Sequence, residues 1–288
     1  MLAKFGEEAT MGAAMLPANG IDICVETFGE RTDPPLLLIA GGASSMDWWE
    51  DEFCRRLAAG GRYVVRYDHR DTGRSTSFAA GAPPYSTQDL ADDALCLLGA
   101  LGVNRAHIVG LSLGGGLAQR IAVEHPARVR TLTLMSTGPE PDEQNDGGGS
   151  AAQEETAQEE TDWTDRKAAV DRIVADTLDF AGPLTFDEGH LRRLAERAFD
   201  RTTDMAAAQT NHWLAAPGAS IRGRLGEITA PTLILHGTED PLFPLAAAQT
   251  LEREIPEAKL VTLTGVGHEF PPRAVWDVVL TLLLDHTA

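Results

Sequence analysis

The sequence predicts an α/β protein whose mostly parallel sheet is covered by helices on both faces and interrupted by one helical insertion. Short apolar runs and helix-like stretches alternate along most of the 288 residues. Since a strand, a helix and a second parallel strand form a right-handed crossover, this alternation is typical of a parallel sheet between helical layers. The alternation stops once, from Gly138 to about Gly226, where the sequence shows no buried strand.

The individual elements follow from the spacing of apolar residues. Residues 21–28 alternate apolar and polar side chains, which is typical of an edge or antiparallel strand. The later runs are apolar on both faces, as in central parallel strands, and cover residues 36–40, 62–67, 106–110, 131–136, 231–237 and 258–265. Helices are expected at residues 48–59, 87–101, 113–124, 245–254 and 273–286.

The gap in the alternation divides the chain. Residues 1–137 and 227–288 are expected to form the two parts of one core, and residues 138–226 a helical cap or lid between them. Within the cap, residues 139–162 are acidic, rich in Gly, Ser and Gln and nearly free of large apolar groups, so we expect a flexible linker there. Insertions of this kind usually lie over the strand ends where ligands bind.

Composition excludes several classes of function. The formal net charge is -19, from 43 acidic and 24 basic residues, so we expect no binding to nucleic acid or to an anionic membrane. Glu7 and Glu8 interrupt the apolar core that a signal peptide needs, and no apolar run is long enough to span a membrane. Cys24, Cys54 and Cys96 lie far apart and match no metal spacing. We expect a cytoplasmic protein with reduced thiols and no bound metal, either a monomer or a small homo-oligomer.

The stretch Gly110-Leu111-Ser112-Leu113-Gly114 lies where a predicted strand becomes a predicted helix. A nucleophilic serine at such a turn needs small residues two positions away on each side, because the strand and the helix approach closely there. The helix start also offers amide groups and a positive dipole end that stabilise a developing oxyanion. On its own, the pattern fits a Gly/Ser-rich structural bend equally well.

Two further loops supply the groups that a serine nucleophile needs. A base must accept the hydroxyl proton, and a carboxylate must orient that base. Asp240 follows the apolar run 231–237, and His268 follows the run 258–265. Because parallel strands end at one edge of the sheet, we expect both side chains to lie near Ser112.

Neighbouring residues offer alternatives to these two. Glu239 competes with Asp240 for the role of the carboxylate, and His236 is a second histidine close to Asp240 that we expect to be a packed loop residue. Glu269, beside His268, is expected to be a solvated neighbour.

The motifs GLSLGG, HGTEDPLFP and GVGHEF, in this order, resemble those of the α/β-hydrolase superfamily, and the resemblance covers nearly the whole chain apart from the first dozen residues and the acidic linker. It implies an eight-stranded, mostly parallel sheet. It also implies a triad in which Ser112 is the nucleophile, His268 the general base and then acid, and Asp240 the orienting carboxylate.

The same resemblance implies an oxyanion hole of two backbone N–H groups. One belongs to Leu113, directly after the nucleophile, and the other to the loop after residues 36–40. Gly42 is the expected second donor. Gly41 and Ala43 stay open as alternatives, because many relatives have His-Gly in the loop where this chain has Ala40-Gly41-Gly42.

The stretches LLLIAGGASSMDWW, RYDHRDTGRST and VGLSLGG more narrowly resemble bacterial esterases related to aclacinomycin methylesterase. This implies hydrolysis of a small-molecule carboxylic ester through an acyl-enzyme, without a cofactor. A bulky apolar substrate such as a polyketide methyl ester or a macrocyclic lactone is expected. Candidates for the pocket wall are Trp48, Trp213, Phe243 and Phe270.

Other activities share the fold and the triad, so the sequence does not separate them. Within the enzymes, the alternatives are C–C bond hydrolysis, amide or peptide hydrolysis and perhydrolysis. The alternative from another class is a non-enzymatic ligand receptor or signalling protein built on a hydrolase fold.

Overall fold

The computed structural model describes residues 10–140, 161–185 and 187–288. Glu7, Glu8 and all of the predicted linker except its first two and last two residues lie outside these ranges. The flexibility of the linker therefore stays a prediction.

One eight-stranded sheet forms the centre of the molecule, in the order β1-β2-β4-β3-β5-β6-β7-β8. The pairs β1–β2 and β2–β4 are antiparallel, and every other neighbouring pair is parallel. The strands are β1 (Thr10–Ala18), β2 (Ile21–Phe28), β3 (Pro35–Ile39), β4 (Tyr63–Tyr67), β5 (Ala106–Leu111), β6 (Val129–Met135), β7 (Thr232–Gly237) and β8 (Lys259–Leu263). The prediction of a mostly parallel, eight-stranded sheet is confirmed.

Strand β1 is the element that apolar spacing does not identify. Its sequence, TMGAAMLPA, has no regular alternation and includes glycine and proline, which are rare in strand interiors. It lies at the edge of the sheet and is held by backbone pairing with β2, from Ala14 opposite Val25 to Ala18 opposite Ile21.

Helices cover both faces of the sheet, and the central strands alternate between two apolar clusters. Leu36 and Leu38 of β3 point to one cluster, whereas Leu37 and Ile39 point to the other. The first cluster includes α1 (Asp51–Ala59) and α8 (Trp276–His286), and the second includes α2 (Thr87–Ala100), α3 (Leu113–Glu124) and α7 (Leu245–Glu254). Two helices begin later than predicted, because a 3-10 turn precedes α1 at Met46–Trp48 and α8 at Arg273–Val275.

Three helices lie between β6 and β7: α4 (Arg166–Phe180), α5 (Glu188–Arg201) and α6 (Met205–Leu214). These insertion helices share a small apolar cluster of their own, which contains Ala169, Val170, Ile173, Val174, Leu191, Ala195, Met205 and Ala208. Every helix in the described ranges falls short of the length or the apolar character that a membrane span requires.

Buried ion pairs fasten the insertion helices to the rest of the fold. The Arg201 guanidinium, at the end of α5, lies 2.9 Å from a carboxylate oxygen of Asp47 and 2.7 Å from one of Asp68. Both carboxylates are almost completely buried. Since removing one partner of a buried pair leaves an uncompensated charge, these contacts hold α5 against the segments that follow β3 and β4.

Gly110 and Gly116 provide a matched test of the turn between β5 and α3. A methyl group on Gly110 would lie 2.2 Å from the carbonyl oxygen of Gly114, whereas one on Gly116 would meet no atom within 4 Å. We expect Gly110→Ala to lower the free energy of unfolding by about 1–3 kcal/mol through overpacking. Gly116→Ala should raise it by up to about 1 kcal/mol, because alanine favours the helix. Urea denaturation measures both changes, and equal effects would contradict a sterically constrained turn.

Candidate active site

Ser112 occupies the turn between β5 and α3 with φ 54° and ψ −118°. This backbone conformation is disfavoured for a residue with a side chain and persists only where its surroundings enforce it. Its N–H donates to the carbonyl of Met135 at 3.0 Å, and its carbonyl accepts from the N–H of Gly115 at 2.9 Å and from the hydroxyl of Thr137 at 3.0 Å. Hydrogen bonds from two neighbouring elements therefore hold the turn.

The structure brings Ser112, His268 and Asp240 together at the carboxyl edge of the sheet. Nε2 of His268 lies 2.9 Å from Oγ of Ser112, and Nδ1 of the same ring lies 3.0 Å from Oδ2 of Asp240. The three residues follow β5, β8 and β7 respectively, so the parallel strands bring them to one edge.

Asp240 is buried and held by three donors. Besides His268, the N–H groups of Leu242 and Phe243 donate to its Oδ1 at 3.0 and 2.8 Å. Burial alone would raise the pKa of Asp240, but the hydrogen bond and charge of His268 and the Phe243 N–H outweigh burial and lower this pKa. The ionised carboxylate draws the ring proton to Nδ1 of His268, which leaves Nε2 as the acceptor facing the Ser112 hydroxyl.

The alternatives to Asp240 and His268 lie in other environments. Glu239 is exposed, and its carboxylate accepts from the hydroxyl of Thr238 at 3.1 Å. His236 is completely buried, and its Nε2 donates to the carbonyl of Phe243 at 2.8 Å. Neither residue is in the hydrogen-bond chain that starts at Ser112.

The expectation that Glu269 is a solvated neighbour of His268 is wrong. Its side chain is buried, and three donors satisfy its carboxylate: the N–H of Gly182 at 2.8 Å, the N–H of Gly267 at 3.0 Å and the hydroxyl of Thr185. These contacts bind the segment between α4 and α5 to the loop that carries His268.

The last residue of α4 also contacts the backbone of His268 itself. The His268 N–H donates to the carbonyl of Phe180 at 2.7 Å. A methyl group on Gly267 would lie 2.2 Å from the same carbonyl oxygen, so the two backbones approach too closely for a side chain there.

The loop after β3 contains the candidate oxyanion-hole amides Gly41, Gly42 and Ala43. The Ala43 N–H donates to Nδ1 of His212 at 3.0 Å, so it already has an acceptor. No acceptor within the described ranges engages the N–H of Gly41 or Gly42, nor that of Leu113 at the start of α3. The contact with His212 thus occupies the Ala43 N–H, whereas the N–H groups of Gly41 and Gly42 stay available.

Two of the aromatic pocket candidates contact the site directly. The ring of Trp213 lies against Gly42, where an added methyl group would be 2.5 Å from Cη2. The Phe243 ring stacks on that of His268, with centroids 5.6 Å apart. Trp48 instead packs against the cluster of the insertion helices and stacks on Phe270, with centroids 6.0 Å apart.

His212 also belongs to this region, but no local sequence motif marks it.

Across residues 10–140, 161–185 and 187–288, no group of three His, Cys, Asp or Glu residues is arranged to hold a metal ion.

Comparison with known proteins gives a consistent result. Residues 34–271 match the family described as alpha/beta hydrolase fold. The chain is 33% identical to rhodomycin D methylesterase DauP of Streptomyces sp. (strain C5) and 32% identical to rhodomycin D methylesterase DnrP of Streptomyces peucetius, in each case over 96% of this chain and 98% of the relative. A hydrolase from Pseudomonas aeruginosa PA01 of known crystal structure is 28% identical, with a TM-score of 0.71 over 94% of this chain and 98% of that one.

Proposed function

The chain belongs to the alpha/beta hydrolase fold family, and from this premise we propose that it hydrolyses carboxylic esters through an acyl-enzyme on Ser112. The observation that carries the proposal is the hydrogen-bond chain from Oγ of Ser112 through the His268 ring to Asp240. A carboxylate, an imidazole and a hydroxyl in this order are the groups that acyl transfer to serine requires.

In the first half of the reaction, Nε2 of His268 accepts the hydroxyl proton while Oγ of Ser112 attacks the ester carbonyl. The N–H groups of Leu113 and Gly42 donate to the negative oxygen of the tetrahedral intermediate. His268 then gives its proton to the departing alkoxide, and an alcohol leaves. The acyl group stays on Ser112 as an ester.

In the second half, a water molecule gives a proton to Nε2 of His268 and attacks the acyl carbonyl. The same two N–H groups stabilise the second oxyanion. When the intermediate collapses, His268 returns the proton to Oγ, and the carboxylic acid leaves. Asp240 keeps the ring in the required tautomer and stabilises the imidazolium that forms in each half.

The proposed substrate is the methyl ester of a bulky apolar small molecule. The two curated relatives are named as methylesterases of rhodomycin D, and both align with nearly the whole chain. Apolar rings flank the site, since Trp213 lies against Gly42 and Phe243 lies against His268. We further propose that residues 138–226 act as a cap over a core made of residues 1–137 and 227–288.

The substrate class is tested with a panel of apolar methyl esters and macrocyclic lactones, followed by mass spectrometry of the products. We expect release of methanol and a free carboxylic acid over many turnovers, and none with Ser112→Ala. Ring opening without loss of a fragment would replace the methyl ester by a lactone as the substrate. Binding of these compounds without turnover would contradict the enzymatic proposal and favour a receptor.

The carboxylate is tested by comparing Asp240→Asn with Glu239→Gln, which alter adjacent residues of one loop. The Asp240→Asn change would leave the geometry nearly intact but favour the wrong tautomer of His268, so kcat should fall by about 10⁴-fold. Glu239→Gln should leave kcat and KM unchanged, because its side chain is exposed. Steady-state kinetics on one ester decide, and equal losses in the two variants would contradict the role of Asp240.

A further inference from the structure

We propose that His212, in the last turn of α6, is a positioning residue that fixes the loop at residues 40–44, so that the insertion completes the oxyanion hole. We call residues 40–44 the oxyanion loop. The inference rests on the proposed function and adds a residue that none of the sequence motifs contains.

The His212 ring joins two backbone segments of the core. Its Nδ1 accepts from the Ala43 N–H at 3.0 Å, and its Nε2 donates to the carbonyl of Arg70 at 2.8 Å. The ring is therefore the tautomer with its proton on Nε2. Burial lowers the pKa of His212 against the opposing effects of the Arg70 carbonyl and Asp71, so the ring is neutral and Nδ1 keeps its lone pair.

The peptide group between Gly42 and Ala43 is held on both sides. His212 accepts from its N–H, and the hydroxyl of Ser44 donates to its carbonyl oxygen at 3.2 Å. Ala43 has a positive φ of 58°, which is disfavoured for a residue with a side chain. The backbone holds this conformation because the contact with His212 and those around it favour one orientation of the peptide.

This orientation occupies one of the three candidate amides of the loop, that of Ala43, and leaves the other two free. With the Ala43 N–H turned towards α6, the preceding N–H of Gly42 has no acceptor in the described part of the chain. A rotation of the peptide would release the Ala43 N–H and displace the backbone of Gly42. The preceding residue, Gly41, lies against Ser112, since an added methyl group there would be 3.5 Å from Cβ of Ser112. His212 therefore acts on the reaction through the oxyanion loop and not by touching the substrate.

Trp213 restricts the same loop from the next position of α6. Its ring edge lies so close to Gly42 that an added methyl group would be 2.5 Å from Cη2. Gln209, one turn earlier, donates to the carbonyl of Ala43 at 3.4 Å. One face of α6 thus contacts the oxyanion loop through three residues, of which His212 alone accepts a hydrogen bond from it.

An oxyanion hole accelerates a reaction because its donors are oriented before the charge develops. If the loop loses its anchor, stabilisation of the transition state falls, while binding of the neutral ester changes little. The expected signature is a lower kcat at a nearly constant KM. Lower global stability alone would leave both constants of the folded enzyme unchanged.

The test separates the two ring nitrogens of His212. His212→Asn places an amide oxygen near the position of Nδ1 and keeps an acceptor for Ala43, whereas His212→Gln places its amide near Nε2 and keeps only the contact with Arg70. Asn211→Ala is the matched control. Asn211 is buried on the same helix and binds Asp71 and Gly81, not the oxyanion loop.

Each variant is assayed on an ester and on the thionoester of the same acid, with the melting temperature measured in parallel. A thiocarbonyl sulfur accepts hydrogen bonds poorly. The ratio of kcat for the ester to kcat for the thionoester therefore reports on the oxyanion donors. We expect His212→Gln to lower kcat for the ester by about 10²-fold and to lower this ratio. His212→Asn should keep kcat within about tenfold of the wild type and preserve most of the ratio. Asn211→Ala should keep the ratio even where it lowers the melting temperature.

The inference is overturned if His212→Gln and His212→Asn give the same ratio, or if Asn211→Ala changes the ratio as much as His212→Gln. A wild-type protein without ester turnover would overturn the proposed function instead. Should His212→Gln fail to fold, His212→Ala takes its place, because that variant also removes the acceptor of the Ala43 N–H. Equal ratios in His212→Ala and His212→Asn would then overturn the inference.

Discussion

The backbone of Ser112 turns with a φ of 54° between β5 and α3, and the rest of the site is built around this turn. The helix start lies so close to the sheet that a methyl group on Gly114 would be 2.5 Å from the carbonyl oxygen of Ala40, where the oxyanion loop begins. One close contact therefore positions three groups: the hydroxyl of Ser112, the N–H of Leu113 and the first peptides of the oxyanion loop. Because of this crowding, positions 110 and 114 have no room for a side chain and are glycines.

The insertion contacts the other two loops of the site by different means. Glu269 ties the His268 loop to Gly182, while the His212 ring ties the oxyanion loop to α6. Arg201 adds ion pairs to Asp47 and Asp68. The segment between β6 and β7 therefore provides hydrogen bonds and ion pairs that hold both of these loops in their observed positions.

Much of the fold could be predicted from the sequence, because parallel strands buried on both faces produce apolar runs that local inspection detects. The same holds for Ser112, Asp240 and His268, which follow such runs directly. Strand β1 could not be predicted in this way, because its sequence has no apolar–polar alternation although Leu16 and Ala18 pack on the core, and local spacing does not reveal its pairing with β2. Glu269 and His212 could not be predicted because their partners are distant in sequence, 87 residues away for Gly182 and 169 for Ala43. From the sequence, Glu269 is a carboxylate beside a loop histidine and is expected to be solvated. Only the structure reveals the donors that bind it.

The most direct measurement of the central claim, that Ser112 is the activated nucleophile, is covalent labelling with a fluorophosphonate, read by intact-protein mass and peptide mapping. Labelling should attach one phosphonyl group per chain, located on Ser112, with no label on Ser112→Ala and much slower labelling of His268→Ala. Label on another serine, or undiminished labelling of Ser112→Ala, would contradict it.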